Sequence, residues 1–418
     1  MKSYVLQLAY GHSHLEIDIA DIDLLAVLTP QQASDPADET MLLSDALAQP
    51  VGTLCLCEMA QAGQKIVIVT SDLTRPCPSE RLLPFVLDEL EAANVSMADV
   101  TVVMALGLHR AMTEEELQTA VGPDVYRRVQ VINHDPNDIV RLGVTSAGTP
   151  VEFFRTVVEA DFRICLGNLE LHYFAGYSGG AKAIFPGCAS DAAVRANHAM
   201  MVHSEASSGR IRGNPLREDI EEAVAMLGVD FILNVVVDNH RIVGAFAGEL
   251  TTAHRQGCEL VAQRSQASIP RLADIVLVST GGYPKDINLY QAHKALENAV
   301  RAVRPGGVII LAAECSEGLG NRTFERWVMD AGSPDDLLAR LEREFVLGGH
   351  KAAAIARILK HAAVYLVSEL PDELVRTCFL VPQPDLKTAL EVAIKNMGPE
   401  ASLIVLPQGI SVLPKLST

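Results

Sequence analysis

Three stretches of this sequence gather side chains that grip anions or move protons. Ser71-Asp72-Leu73-Thr74-Arg75-Pro76 places a carboxylate, a hydroxyl and a guanidinium together, and Gly107-Leu108-His109-Arg110 adds an imidazole. The longest runs from Gly167 to Lys182 and carries His172, then Ser178, Gly179 and Gly180 shortly before Lys182. Glycines let backbone N–H groups approach an anion, lysine or arginine supplies the counter-charge, and histidine takes or gives a proton near neutrality. Alone, the Gly167–Lys182 stretch reads as a glycine-rich turn with a solvated lysine; in company with the other two it marks a site. A fourth group, Tyr290, Gln291 and Lys294, follows Gly281-Gly282. Gln291 and Lys294 are three apart and share one helix face, where a solvated surface is the plainer reading and an anionic ligand the sharper one.

Familiar motifs do not account for these residues. The turn before Lys182 lacks the glycine directly before the lysine and the Ser or Thr after it that a P-loop requires, and no G-x-G-x-x-G joins a strand to a helix. ATP hydrolysis and nicotinamide binding therefore lose their strongest sequence support. His198 and His203 are five apart and no H-E-x-x-H occurs, which excludes a zincin. His198 follows Ser190, which caps a helix expected to run through Val202, and on position alone it reads as a packed or surface residue. The eight cysteines have no C-x-x-C spacing and read as ordinary thiols of a reducing compartment.

The elements that must position these groups are strands alternating with helices. Short β-branched runs recur at Lys65–Thr70, Thr101–Leu106, Arg128–Asn133, Phe162–Leu166, Ile275–Thr280, Val308–Ala313, Val364–Ser368 and Leu403–Leu406. This alternation is the mark of βαβ units and a largely parallel sheet, whose ligands sit outside the carboxyl ends of the strands. The candidate stretches follow such strand ends directly. Helix punctuation agrees: Thr113 with Glu116 forms a capping box, and Asn214-Pro215 and Ser333-Pro334 each pair an N-cap with a first-turn proline. Leu82, Leu83, Val86, Leu87 and Leu90 recur at helical spacing and give one apolar face. Phe231–Val237 and Arg241–Ala247 flank Asp238-Asn239-His240 as an antiparallel hairpin, so the sheet is expected to be mixed. The Ser, Gln and Pro content of Gln263–Leu272 reads as a linker, which divides the chain into residues 1–268 and 269–418.

Size and charge agree with a folded, water-facing chain. At 418 residues, two or three domains are expected. A hydrophobic share of 49% with 21% charged residues excludes a disordered or fibrous chain. The formal net charge of −18 disfavours nucleic acid and anionic membrane surfaces as partners. No apolar run approaches the roughly 20 residues of a membrane span, and the acidic N-terminal stretch lacks the order of a secretory signal, so a cytoplasmic location is expected.

Taken together, Asp72-Leu73-Thr74-Arg75-Pro76, Gly107-Leu108-His109-Arg110, His172 to Lys182 with Pro186-Gly187 and Asn197-His198, and Tyr290-Gln291 with Lys294 resemble the nickel-dependent lactate racemase family, most strongly from Asp72 to Ala299. The resemblance implies two α/β domains with mostly parallel or mixed sheets and an active-site cleft between them. The first would bind the cofactor and carry the catalysis; the second would close over the substrate. The implied cofactor is a nickel pincer nucleotide, a pyridinium mononucleotide with two sulfur-bearing arms, one joined to Lys182 as a thioamide. His198 would contact the nickel, and Asp72, Thr74, Ser178, Gly179 and Gly180 would lie near the cofactor.

The implied reaction inverts C2 of a 2-hydroxy acid by hydride transfer through a 2-keto acid, which avoids abstracting a very weakly acidic α-proton. His109 and His172 would serve as acid and base for the two enantiomers, Arg75 would grip the carboxylate, and Tyr290, Gln291 and Lys294 would hold the substrate. Partners implied are the small-molecule substrate and the enzymes that build and load the cofactor; the oligomeric state is open, a homodimer included. The substrate stays open among lactate, malate, longer 2-hydroxy acids and sugar acids. Two other readings remain: a nicotinamide-dependent 2-hydroxyacid dehydrogenase, which should show a dinucleotide fingerprint, and a non-catalytic anion-binding module, which leaves the histidines unexplained.

Overall fold

The computed structural model describes residues 4–19, 22–31, 38–75, 77–238, 240–346 and 348–417; Pro76 and Asn239, which belong to the stretches singled out above, lie outside them. The chain forms two compact units, a middle unit of Gln32–Gln263 and a terminal unit of Met1–Gln31 with Arg264–Thr418. The second passage between units falls near the expected division at residue 269. The first corrects that expectation, because the opening residues belong with the C-terminal half. Strands β1 (Tyr4–Tyr10) and β2 (Ser13–Ile19) form an antiparallel hairpin, and β3 (Asp23–Val27) joins the terminal unit's sheet. Leu8, Ile17 and Ile19 are buried with Ile275, Leu277 and Leu403 of that unit, which is the hydrophobic reason they belong there.

The middle unit contains β4 (Ile66–Ser71), β5 (Val100–Ala105), β6 (Gln130–Asn133), the hairpin of β7 (Ile139–Val144) and β8 (Pro150–Phe154), β9 (Phe162–Asn168), the two-residue strands β10 (Leu171–His172) and β11 (Gly176–Tyr177), β12 (Phe231–Asp238) and β13 (Arg241–Gly248). Its main sheet has the order β13-β12-β9-β4-β5-β6. All neighbours are parallel except β13, which returns antiparallel beside β12 as the hairpin pattern predicts. β4 and β9 are buried almost residue for residue, as strands covered on both faces must be. The helix Ser79–Ala92 buries Leu82, Leu83, Val86, Leu87 and Leu90, the apolar face its spacing predicts. The order of strands reverses between β4 and β9: the chain builds outward through β5 and β6, then returns to the other side of β4. A crevice for ligands is expected outside the strand ends at such a reversal.

The terminal unit adds β14 (Gln266–Ile269), β15 (Ala273–Ser279), β16 (Val303–Ala312), β17 (Ala363–Val367), β18 (Val381–Gln383), β19 (Ser402–Leu406) and β20 (Leu413–Leu416). Its parallel sheet has the order β18-β17-β16-β15-β19-β3. The expected linker Gln263–Leu272 is instead the end of the helix Leu250–Ser265 followed by β14, which pairs with β20; hydrogen bonding to that strand outweighs its turn-like composition. Both capped helices are found, at Pro215–Ala225 and Pro334–Arg343, and Thr113 with Glu116 closes a capping box. Ser190 caps the helix Asp191–Ala199, which ends earlier than expected and tightens into a 3₁₀ turn at Met200–Val202. Among the described residues no helix is long and apolar enough to cross a membrane.

Candidate active site

The loops that follow β4, β5 and β9 leave adjacent strands at the same sheet end, so residues distant in sequence converge there. Asp72, just beyond β4, is buried, and its carboxylate accepts a 2.6 Å hydrogen bond from His109 Nδ1. Thr74 completes the arrangement: its hydroxyl donates to the other Asp72 oxygen at 2.6 Å, and its oxygen lies 3.2 Å from the same His109 nitrogen. Burial alone would raise the Asp72 pKa, but the hydrogen bonds from His109 and Thr74 outweigh it and hold the group below its ordinary value. Asp72 is therefore a carboxylate, and the neutral form of His109 that suits it has its proton on Nδ1 and its lone pair on Nε2. The resemblance places Asp72 and Thr74 near a cofactor; the structure joins them to a histidine on the neighbouring loop.

His172 lies in β10, and its Nδ1 accepts a 3.2 Å hydrogen bond from the Ala175 N–H, which leaves the neutral ring's proton on Nε2. The two histidines are thus set in opposite senses, His109 offering a lone pair and His172 a proton. Phe174 gathers the remaining groups. Its buried ring meets His172 edge-on at 4.5 Å and His198 edge-on at 5.0 Å, and Lys182 Nζ stands 5.8 Å from its centroid. Lys182 is held well below the usual lysine range, first by burial and then by the guanidinium charges of Arg75 and Arg217, with Glu170 opposing. Both influences disfavour the protonated amine, and Arg75 is close enough to act on it.

The turn that carries Lys182 is tightly built. Gly180 has φ 58°, and a side chain there would bring Cβ within 2.6 Å of the His254 ring, so only glycine fits. Its N–H donates to Asn234 Oδ1 at 2.8 Å, while the Ser178 hydroxyl donates to the Asn168 carbonyl at 2.7 Å and accepts from the Glu170 N–H at 2.8 Å. A Cβ on Gly179 would likewise strike Leu169 and Asn234. Ser178, Gly179 and Gly180 thus direct their bonds and their bareness into the protein. Arg217, His254, Asn234 and Phe174 escape sequence reasoning. Arg217 with Glu221 four residues on looks like a surface ion pair, and nothing in the pattern marks it as buried.

In the terminal unit, Tyr290, Gln291 and Lys294 occupy the first turns of the helix Leu289–Ala299 and are half-buried, Tyr290 packing edge-on against the buried Phe324. Asn288 caps that helix by accepting from the Gln291 N–H at 3.0 Å. Lys351, buried, sets its ammonium 3.5 Å from the Tyr290 ring centroid and donates to the Tyr290 carbonyl at 2.9 Å.

Comparison with known proteins places the whole chain. The profile of the lactate racemase N-terminal domain matches residues 10–209, and that of the lactate racemase C-terminal domain matches residues 269–414. Lactate racemase of Thermoanaerobacterium thermosaccharolyticum is 36% identical over 421 residues, covering 98% of each chain. Lactate racemase of Lactiplantibacillus plantarum is 32% identical over 98% of this chain and 99% of its own. The solved structure of the lactate racemase apoprotein from T. thermosaccharolyticum matches with a TM-score of 0.91 and 35% identity, over 99% of this chain and 100% of that one. A Thermotoga maritima protein of known structure shares the fold at a TM-score of 0.66 and 20% identity over 93% of this chain. This chain belongs, along nearly its whole length, to the lactate racemase family, a family of isomerases.

Proposed function

We propose that the protein inverts the C2 centre of a 2-hydroxy acid, lactate or a related acid, with a nickel pincer nucleotide as cofactor. The observation that carries this reading is the Asp72–His109 pair beside Arg75 and Lys182 at the strand-order reversal. The residues present fit the group. An unprotonated Lys182 is the form that makes an amide-type bond, and the imidazole of His198 suits nickel. The Phe174 ring that both of them face offers a flat apolar wall to a planar ring. Among the described residues no three His, Cys, Asp or Glu side chains gather to hold a metal, so nickel at His198 would take its other ligands from the nucleotide. When bound, the nucleotide supplies the acceptor and donor of the hydride that interconverts a 2-hydroxy and a 2-keto acid.

The chain's own residues do the rest. Arg75 pairs with the substrate carboxylate through two parallel N–H donors and so fixes the orientation of Cα. His109 Nε2, its ring held by Asp72, would accept the proton of the substrate hydroxyl. His172, after taking a second proton on Nδ1 in place of the Ala175 contact, gives its Nε2 proton to the substrate oxygen and is left neutral. For the opposite enantiomer the two histidines exchange roles. Asp72 and Thr74 act here through His109, and Ser178, Gly179 and Gly180 act through the turn that carries Lys182. Tyr290, Gln291 and Lys294, assigned to substrate binding by the resemblance, remain part of the proposal. The eight cysteines are free, which supports a cytoplasmic setting.

The test is nickel content together with intact and peptide mass of protein produced alongside cofactor-building enzymes, followed by a chiral assay on lactate, malate and longer 2-hydroxy acids. Nickel near one per chain, added mass on Lys182 and interconversion of enantiomers are expected. Folded protein with no nickel and an unmodified Lys182 overturns the proposal. Conversion of substrate to a 2-keto acid with NAD consumption would favour a dehydrogenase instead.

A further inference from the structure

Two buried side chains outside the catalytic set grip the turn that precedes Lys182. Arg217, in the helix Pro215–Ala225, is 1% exposed along its side chain, donates from Nε to Glu221 at 2.7 Å and reaches the Tyr177 carbonyl from Nη1 at 3.3 Å. His254, in the helix Leu250–Ser265, donates from Nε2 to the Ser178 carbonyl at 2.9 Å. Its Nδ1 then accepts from Arg255 Nη1 at 2.9 Å, and Arg217 Nη2 lies against the ring, 3.1 Å from Nδ1 and 2.9 Å from Nε2. The His254 ring also fills the space a Gly180 side chain would need. A buried guanidinium is costly to desolvate and is retained where its bonds specify one arrangement. Here those bonds end on two successive carbonyls of one turn.

We infer that Arg217 and His254 are positioning residues for Lys182, fixing the Tyr177–Gly180 backbone so that the amine is presented as a nucleophile. The inference deepens the proposed function and rests on its reading of Lys182 as the reactive lysine. The charged and titratable groups acting on that amine are Arg75 from the loop after β4, Arg217 and His254 from the two helices, and Glu170 from the loop after β9. Three of the four are cationic or neutral, and burial acts with the two guanidiniums to disfavour protonation of the amine. His254 is itself kept neutral by burial and by Arg217, which matches its role as an N–H donor to Ser178.

Competitive acetylation of the cofactor-free full chain with trace acetic anhydride from pH 6 to 10, quantified by peptide mass at Lys182 against the exposed Lys387, tests this. In the wild type, labelling of Lys182 should rise at lower pH than that of Lys387. Arg217→Gln should move the Lys182 profile upward by about one pH unit. His254→Ala should slow labelling by about tenfold, and His254→Gln, which keeps a donor for Ser178 and an acceptor for the arginines, should restore it. An unchanged profile in folded Arg217→Gln overturns the inference. Should Arg217→Gln fail to fold, the His254 pair decides, and equal labelling of His254→Ala and His254→Gln overturns it. Cofactor loading is measured separately: no added mass on wild-type Lys182 would sink the proposed function while the labelling profile still reads the positioning.

Discussion

The carboxylate of Asp72 lies 2.6 Å from Nδ1 of His109, and the two residues hang from the neighbouring parallel strands β4 and β5. The buried acid fixes the ring and its tautomer, so Nε2 points its lone pair away from the pair. Asp72→Asn would leave the shape and remove the charge that selects that tautomer. By analogy with other acid-oriented histidines, kcat should fall by about 10²–10⁴-fold with nickel content unchanged. Full activity in Asp72→Asn would show that His109 needs no orienting acid.

Arg75→Lys keeps a positive charge and loses the fork. A single ammonium cannot form two parallel bonds to a carboxylate, so KM for the hydroxy acid should rise about 10–100-fold. Wild-type kinetics would remove Arg75 from carboxylate binding.

His198 and Lys182 should separate metal from attachment. His198→Ala should keep the added mass on Lys182 and lose most of the nickel, whereas Lys182→Ala should lose the mass. Metal analysis and peptide mass on the same preparations decide. Nickel retained at wild-type level in His198→Ala would assign the metal contact elsewhere.

Gly180→Ala should cost about 1–3 kcal/mol, since the new methyl meets the His254 ring at 2.6 Å in a backbone with φ 58°. Gly63→Ala is the control: φ is 85° there, but nothing lies within 4 Å of the added Cβ, so only backbone strain is incurred. Urea unfolding should show the larger loss at Gly180. Equal losses would mean that contact with His254 is not tight.

Acid sensitivity should come in part from His134. It is 2% exposed, lies edge-on to Phe154, and burial lowers its pKa to about 4. The unfolded chain takes the proton first, near pH 6.5, so stability is intact above that value and is lost as pH falls towards about 4. His254 and His350, also lowered by burial, add in the same direction. Between pH 7.5 and 5.0 His134 alone should account for about 2 kcal/mol. His134→Phe should narrow the difference between urea midpoints at those two pH values, and an undiminished difference would clear His134 of the effect.

Much of the architecture was readable from residue order because parallel strands covered on both faces leave unbroken apolar runs, as Ile66–Ser71 and Phe162–Asn168 do. Caps such as Thr113 with Glu116 act through neighbours in sequence and are legible for the same reason. The opening hairpin and β3 were missed, since β3 alternates only weakly and its burial depends on β19 far along the chain. At the site, residue types and loops were legible; pairings were not. Asp72 with His109, and Lys182 with Arg75 and Arg217, are tertiary facts between residues whose spacing carries no period. Arg217 is the extreme case, a charged residue on an amphipathic helix that only the packed structure reveals as buried.

The parallel pairing of β3 with β19 sets an order on biosynthesis. β3 leaves the ribosome long before β19, the one strand it pairs with among the described residues, Asp23 waiting for Ser402. The whole of Gln32–Gln263 emerges in that interval and has its sheet partners within itself. The middle unit can therefore fold while β15 to β19 of the terminal unit's sheet are still to be made, and chains that stop short of Ser402 should expose β3 as an unpaired edge open to chaperones or to other nascent chains.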